Sequence, residues 1–343
     1  MKNIDQLVRN NIQALKPYSS ARDEFSGKEG IFLDANENPF GTYNRYPDPY
    51  QNQLKEEVSK IKNIPKKNIF VGNGSDEAID LLFRIFCNPG KDKALTFSPT
   101  YGMYKVSAVI NDVALIEIPL NEAYQIDEST LKNYLKDPQL KLIFICSPNN
   151  PTGNSIPRKT IQNILENFNG IVVVDEAYID FSKEQSCLIF LKNYSNLVVL
   201  QTLSKAWGQA GLRIGFAFAN EEIIQYFNKV KPPYNISEVN QQLAIKAIQN
   251  KVLFEENKAE ILLEKEKLQS QLLKIKVVQN IFPSETNFLL IQIEDANTMY
   301  QKLVAENLIV RNRSSQIENA LRITIGSPSE NKKLIETLQK ITL

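Results

Sequence analysis

The sequence predicts an α/β fold, a mostly parallel central sheet flanked by helices on both faces, with a smaller α/β unit at its C-terminal end. Three observations carry this. Between residues 68 and 220, short apolar runs alternate with segments of helical period. The runs are nearly continuous in Val, Ile and Leu, the pattern of strands covered on both faces, as in a parallel sheet. A chain of 343 residues can bury a large core and divide into two units.

The elements follow in order. NIFV (68–71) is a strand and SDEAIDLLFRIF (75–86) an amphipathic helix. KALTF (93–97) precedes a helical TYGMYKVSAVI, and VALIEIPL (113–120), KLIFIC (141–146), GIVVVDEA (170–177), NLVVLQ (196–201) and RIGFAFA (213–219) are further strands. KPPYN (231–235) interrupts the pattern, because consecutive prolines exclude helix and strand interiors. Residues 237–275 read as helices without a lasting heptad. The tail reads as an NFLLIQI strand, an NTMYQKLVAEN helix, LIVRNR and LRITIG strands, and a final helix started by the capping box SPSE (327–330). The division expected is an N-terminal arm, 1–30, a large unit, 31–230, and a small C-terminal unit, 231–343, packing with the arm.

Composition removes several classes of function. Forty basic residues against 39 acidic ones leave a charge of +1 with no block of one sign, which argues against nucleic acid or an anionic membrane as partner. Cys87, Cys146 and Cys187 are widely spaced, so neither a disulfide framework nor a metal site is expected. The chain has no histidine, so acid–base chemistry must run on Lys, Tyr, Asp, Glu or Cys. The N-terminus has no signal-peptide core and no apolar run spans a membrane, which predicts a cytoplasmic protein.

In a parallel α/β sheet, ligands gather at the carboxyl ends of the strands, and the polar motifs fall there. GNGSDE (72–77) joins a strand to a helix through a glycine turn, a nest of backbone N–H groups suited to phosphate. Ser75 and Asp76 would equally serve as plain helix caps. Asp175 ends a buried Val run and so wants a cationic partner; Tyr178 offers a phenol nearby. SPNNPTG (147–153) is a turn that can hold an Asn amide rigid. TLSKAWGQAGLRIG (202–215) sets Lys205 among small and hydroxyl residues, with Arg213 following. Taken together in this order, they meet the needs of pyridoxal 5′-phosphate: a lysine to attach it, an acid for its ring nitrogen, donors for its phenolate and an anion site for its phosphate.

The chain resembles the fold type I aminotransferases that use this cofactor, through SPNNPTG and SKAWGQAGLRIG above all. KPYSSAR (16–22), LDANENPFG (33–41) and VDEAYIDF (174–181) point within them to the histidinol-phosphate branch, and the matching stretches run from residue 16 to 326. The resemblance implies that Lys205 is the covalent anchor and mobile base, and that Asp175 pairs with the ring nitrogen. Asn150 and Tyr178 would bond the phenolate oxygen and Tyr101 would stack on the ring. Ser75, Asp76, Thr202, Ser204 and Arg213 would hold the phosphate. Tyr46 would reach the neighbouring subunit's cofactor, which implies a homodimer with shared sites. Tyr18, Arg311 and Arg322 match substrate-binding positions, with Arg313 a second candidate beside Arg311. The reaction implied is transamination of L-histidinol phosphate with 2-oxoglutarate, giving imidazole-acetol phosphate and L-glutamate in histidine biosynthesis. The rivals are an aromatic amino-acid aminotransferase, a phosphothreonine-type decarboxylase and a ligand-binding regulator that has kept the fold.

Overall fold

The computed structural model describes residues 2–18 and 30–342. Seven strands form the larger sheet: β1 (Ile69–Asn73), β2 (Lys93–Ser98), β3 (Ala114–Pro119), β4 (Leu140–Cys146), β5 (Ile171–Asp175), β6 (Leu197–Thr202) and β7 (Ile214–Ala219). Their spatial order is β1-β7-β6-β5-β4-β2-β3. Only β7 runs against its neighbours; the other pairings are parallel. A four-stranded antiparallel sheet follows, of β8 (Val278–Ile281), β9 (Phe288–Ile293), β10 (Arg311–Asn312) and β11 (Ala320–Thr324), in the order β10-β11-β9-β8. The helices are α1 (Asn10–Ala14), α2 (Asn52–Lys62), α3 (Ser75–Phe86), α4 (Met103–Ile110), α5 (Glu128–Leu131), α6 (Arg158–Asn167), α7 (Glu221–Val230), α8 (Glu238–Gln249), α9 (Lys251–Leu272), α10 (Ala296–Ala305) and α11 (Pro328–Thr342).

The continuous apolar runs have the expected cause. Side chains alternate along a strand, and both faces of the larger sheet are buried. Val172 and Val174 enter one core cluster, while Ile171 and Val173 enter the cluster on the opposite face. β6 divides in the same way, with Leu197 and Val199 on one side and Val198 and Leu200 on the other. A third core, including Leu289, Ile291, Leu321 and Leu338, lies under the smaller sheet.

The structure refines several of these elements. VALIEIPL makes an edge strand, β3, whose residues are mostly open to solvent because nothing pairs beyond it. LIVRNR contributes only the two residues of β10, and β8 was not foreseen, since VQNI has neither alternation nor an apolar run. The long helical stretch breaks at Asn250, whose side chain caps α9 through Leu253 N–H at 3.3 Å. The described N-terminal residues pack on the larger sheet's helices. Ile4, Val8 and Ile12 join the α3 and α7 side of the core, and Tyr226 Oη donates to Asp5 at 2.8 Å. The SPSE box forms as expected, with Glu330 accepting from Ser327 N–H at 2.8 Å.

Candidate active site

The carboxyl ends of β1, β4, β5 and β6 open onto a cavity of about 430 Å³, closed on its far side by arginines of the smaller sheet. Topology explains the convergence. β5 and β6 are parallel neighbours and β4 lies beside β5, so the residues after each strand reach the same edge.

The β1–α3 turn forms the first wall. Gly74, at φ 74°, is the N-cap of α3 and no side chain caps the helix. The cap reading of Ser75 and Asp76 is therefore corrected: they are the first helical residues, and the first-turn N–H groups are left for another acceptor. Gly74 is required here by its backbone, since φ 74° with ψ 168° is a conformation essentially confined to glycine. Gly215 is equally constrained, since a Cβ there would lie 2.1 Å from Ser75 N. Arg213 adopts a left-handed conformation, φ 53°, and its guanidinium meets Asp76 at 3.4 Å. At the end of β6, Ser204 N–H donates to Thr202 Oγ1 at 3.1 Å, and the two hydroxyl oxygens are 3.0 Å apart. Ser75, Asp76, Thr202, Ser204 and Arg213 thus face one corner, all in the cavity lining.

Asp175 is buried at the floor, 2% exposed. Its Oδ2 accepts from Tyr104 Oη at 2.7 Å and its Oδ1 from Ala177 N–H at 3.1 Å. Burial raises its pKa to about 6 despite these two donors. Lys205 is half-buried, with Nζ 5.6 Å from the Tyr178 ring centre; burial first, then Arg322, lowers its pKa. Tyr178 stands edge-on to Phe288 at 5.3 Å, and burial raises its pKa. Tyr101 donates to Asp76 at 3.0 Å. Asn150, from the turn after β4, accepts a short hydrogen bond from Arg322, which also lies 5.2 Å from the Phe288 ring centre. The neighbouring Asn149 is the turn's own brace, donating to Pro99 O at 2.9 Å and Thr152 Oγ1 at 2.7 Å.

Arg311, Arg313 and Arg322 complete the lining. Arg311 is paired directly opposite Arg322, and period two puts Arg313 on the same face as Arg311. Arg313 is half-buried, its Nε has no hydrogen-bond partner among the described residues, and burial lowers its pKa to about 10. Two expected residues are elsewhere. Tyr18 is 72% exposed and Tyr46 48% exposed, Tyr46 stacking on Tyr234 at 4.4 Å; neither lines this chain's cavity. Tyr104, in the first turn of α4, was not singled out from the sequence, where nothing in YGMY sets it apart from Tyr101.

These residues fit pyridoxal 5′-phosphate. A buried, donor-stabilised carboxylate wants a cation such as a protonated ring nitrogen. Uncapped helix amides with an arginine and two hydroxyls suit a phosphate, and a lysine of depressed pKa lies between them. Among the described residues there is no cluster suited to a metal ion and no helix long and apolar enough to cross a membrane.

Comparison with known proteins agrees with this geometry. A histidinol-phosphate aminotransferase of Cytophaga hutchinsonii is 49% identical, covering 98% of each chain. One of Parabacteroides distasonis is 48% identical over the whole of both. A solved histidinol-phosphate aminotransferase of Sinorhizobium meliloti in complex with pyridoxal-5′-phosphate shares the fold, with a TM-score of 0.80 at 20% identity and 90% of each chain covered. The profile of aminotransferase class I and II matches residues 27–338. With the cavity, the sheet order and nearly the whole length in agreement, the chain belongs to the class I and II aminotransferase family.

Proposed function

We propose that the chain is a histidinol-phosphate aminotransferase, moving the amino group of L-histidinol phosphate to 2-oxoglutarate to give imidazole-acetol phosphate and L-glutamate. Its cofactor is pyridoxal 5′-phosphate, as in the family. The observation that carries the substrate is a charge surplus. Five cationic side chains and only two carboxylates line the cavity, more than one phosphate needs, and three of the cations are arginines on the wall away from the α3 N-terminus. A substrate with its own phosphomonoester balances that wall, and a dicarboxylate occupies it in the second half of the reaction. The near-half identity to relatives of this name along their full length supports the same reading.

When bound, pyridoxal 5′-phosphate supplies an aldehyde that condenses with amines and a protonated ring that accepts electrons from a broken Cα–H bond. The protein's part is proton placement and orientation. Lys205 would hold the cofactor until the substrate amine displaces its Nζ, and that Nζ, made less basic by burial, would then take the substrate's α-proton and return it on the product side, so no histidine is needed. Asp175 would keep the ring nitrogen protonated. Asn150 and Tyr178 would hold the phenolate oxygen, Tyr101 would cover the ring, and Ser75, Asp76, Thr202, Ser204 and Arg213 would grip the phosphate. Arg322 and Arg311, with Arg313 beside them, take the substrate's anion.

The same reading makes the working form a homodimer. Ile31, Leu33, Phe40 and Tyr43 are exposed along one segment, an apolar stretch that a second copy would cover. Tyr46 and Tyr18, which stand outside this chain's cavity, would then serve the partner's site. The division at residues 30 and 230 and the cytoplasmic location belong to this proposal too. A steady-state assay separates the rivals. Glutamate formation from L-histidinol phosphate and 2-oxoglutarate supports the proposal. Carbon dioxide release from phosphothreonine, or transamination of aromatic amino acids alone, overturns the substrate.

A further inference from the structure

Tyr104 is fully buried, at 0% exposure. A phenol so placed needs an acceptor, and it takes Asp175 Oδ2 at 2.7 Å. Its ring is stacked on Phe144 of β4, with centres 4.9 Å apart and planes at 18°, so it has little freedom to swing. The ring also meets Tyr101 in a perpendicular contact, with centres 5.7 Å apart and planes at 85°. One side chain therefore touches both the acid at the cavity floor and the ring expected to cover the cofactor, although Tyr104 does not itself line the cavity.

We propose that Tyr104 is a positioning residue for the cofactor's pyridine ring: its hydroxyl orients the Asp175 carboxylate and its ring, packed perpendicular to Tyr101, sets the plane of that ring. This rests on the reading of the site as a pyridoxal 5′-phosphate site. The donor matters because Asp175 must be ionised to receive a protonated ring nitrogen, while its surroundings oppose ionisation. Burial and Asp76, from α3, push its pKa up; the Tyr104 hydroxyl, from α4, the Ala177 N–H and Lys205, after β6, push it down. Cys146 of β4 and the phenols of Tyr101 and Tyr178 also face it, and burial holds all three in their neutral forms at neutral pH. Removing the Tyr104 hydroxyl leaves the carboxyl protonated up to a higher pH, so cofactor affinity fails earlier as pH falls.

The test uses apoprotein of the wild type, Tyr104→Phe, Asp175→Asn and the double variant, each titrated with pyridoxal 5′-phosphate between about pH 5 and 8, following the absorbance of bound cofactor. Tyr104→Phe keeps the Phe144 stack and removes one atom. It is expected to move the acid limb of binding up by about one pH unit, with affinity about tenfold weaker near pH 6 and close to wild type near pH 8. In the Asp175→Asn background the same change is expected to move nothing. An unmoved limb, or a shift that persists in the Asp175→Asn background, overturns the proposal and leaves Tyr104 a core phenol. A wild type that binds no pyridoxal 5′-phosphate at any pH is a different failure: the site reading falls, and this inference with it.

Discussion

Arg311 and Arg322 stand directly opposite each other across the antiparallel β10–β11 ladder, and among the described residues neither is in an ion pair. Like charges opposite one another in a sheet destabilise it by about 0.2–1 kcal/mol. Arg311→Gln is therefore expected to raise the apoprotein's stability by a few tenths of a kcal/mol. It should also raise KM for the phosphorylated substrate by about 10–100-fold, the worth of a charged bidentate contact. Thermal unfolding and steady-state kinetics check both halves. An unchanged KM assigns the substrate anion to Arg313 and Arg322 instead.

Asp175 gives the same exchange of stability for activity. Its pKa is raised from 3.8 to about 6, so the folded state holds a proton that the unfolded state has lost within that window. Apoprotein stability should fall as pH rises through it, with that contribution gone above the folded pKa. Asp175→Asn removes the buried charge and should stabilise the apoprotein at neutral pH by about 1–3 kcal/mol. Turnover should fall by at least about 100-fold, with cofactor binding less affected. Near-normal turnover contradicts the role of Asp175.

The phosphate corner depends on two glycines. Gly215→Ala would drive a Cβ to 2.1 Å from Ser75 N and 2.4 Å from the Gly74 carbonyl carbon, backbone atoms that cannot step aside. It should destabilise the fold by about 1–3 kcal/mol and weaken cofactor binding. Melting curves with and without saturating pyridoxal 5′-phosphate measure this. A variant with wild-type affinity shows that the α3 N-terminus does not hold the phosphate.

Lys205→Ala should leave the fold intact, since the side chain is half-buried and in no ion pair among the described residues. Transamination should fall by at least about 10²–10⁴-fold, the range lost with a general base. Circular dichroism and turnover decide this. Activity within tenfold of wild type would move the base to another residue.

Much of this was legible in the sequence because it depends on local chemistry. Strands buried on both faces must be apolar throughout, so β1, β4, β5, β6 and β7 announce themselves, and helix α3 is bounded by its glycine turn. The residues that touch the cofactor's expected position fall at strand ends, where a polar residue after an apolar run is conspicuous. Asp175 and Lys205 are visible for that reason. What stayed hidden depends on tertiary approach. Tyr104 looks like any helix aromatic until β4 and β5 bring Asp175 to it. Gly74 rather than Ser75 is the N-cap of α3, and the approach of Arg213, distant in sequence, to that turn is something no local pattern encodes. Arg311 stands opposite Arg322 only because β10 pairs in one register with β11.

The central claim is tested most directly by an absorption scan of the purified holoprotein as L-histidinol phosphate is added without any keto acid. The account predicts loss of the yellow band of the lysine-bound cofactor and growth of the near-ultraviolet band of its amine form, reversed by 2-oxoglutarate. A yellow band untouched by this amine would contradict the substrate assignment. A protein that stays colourless with added pyridoxal 5′-phosphate would contradict the site itself.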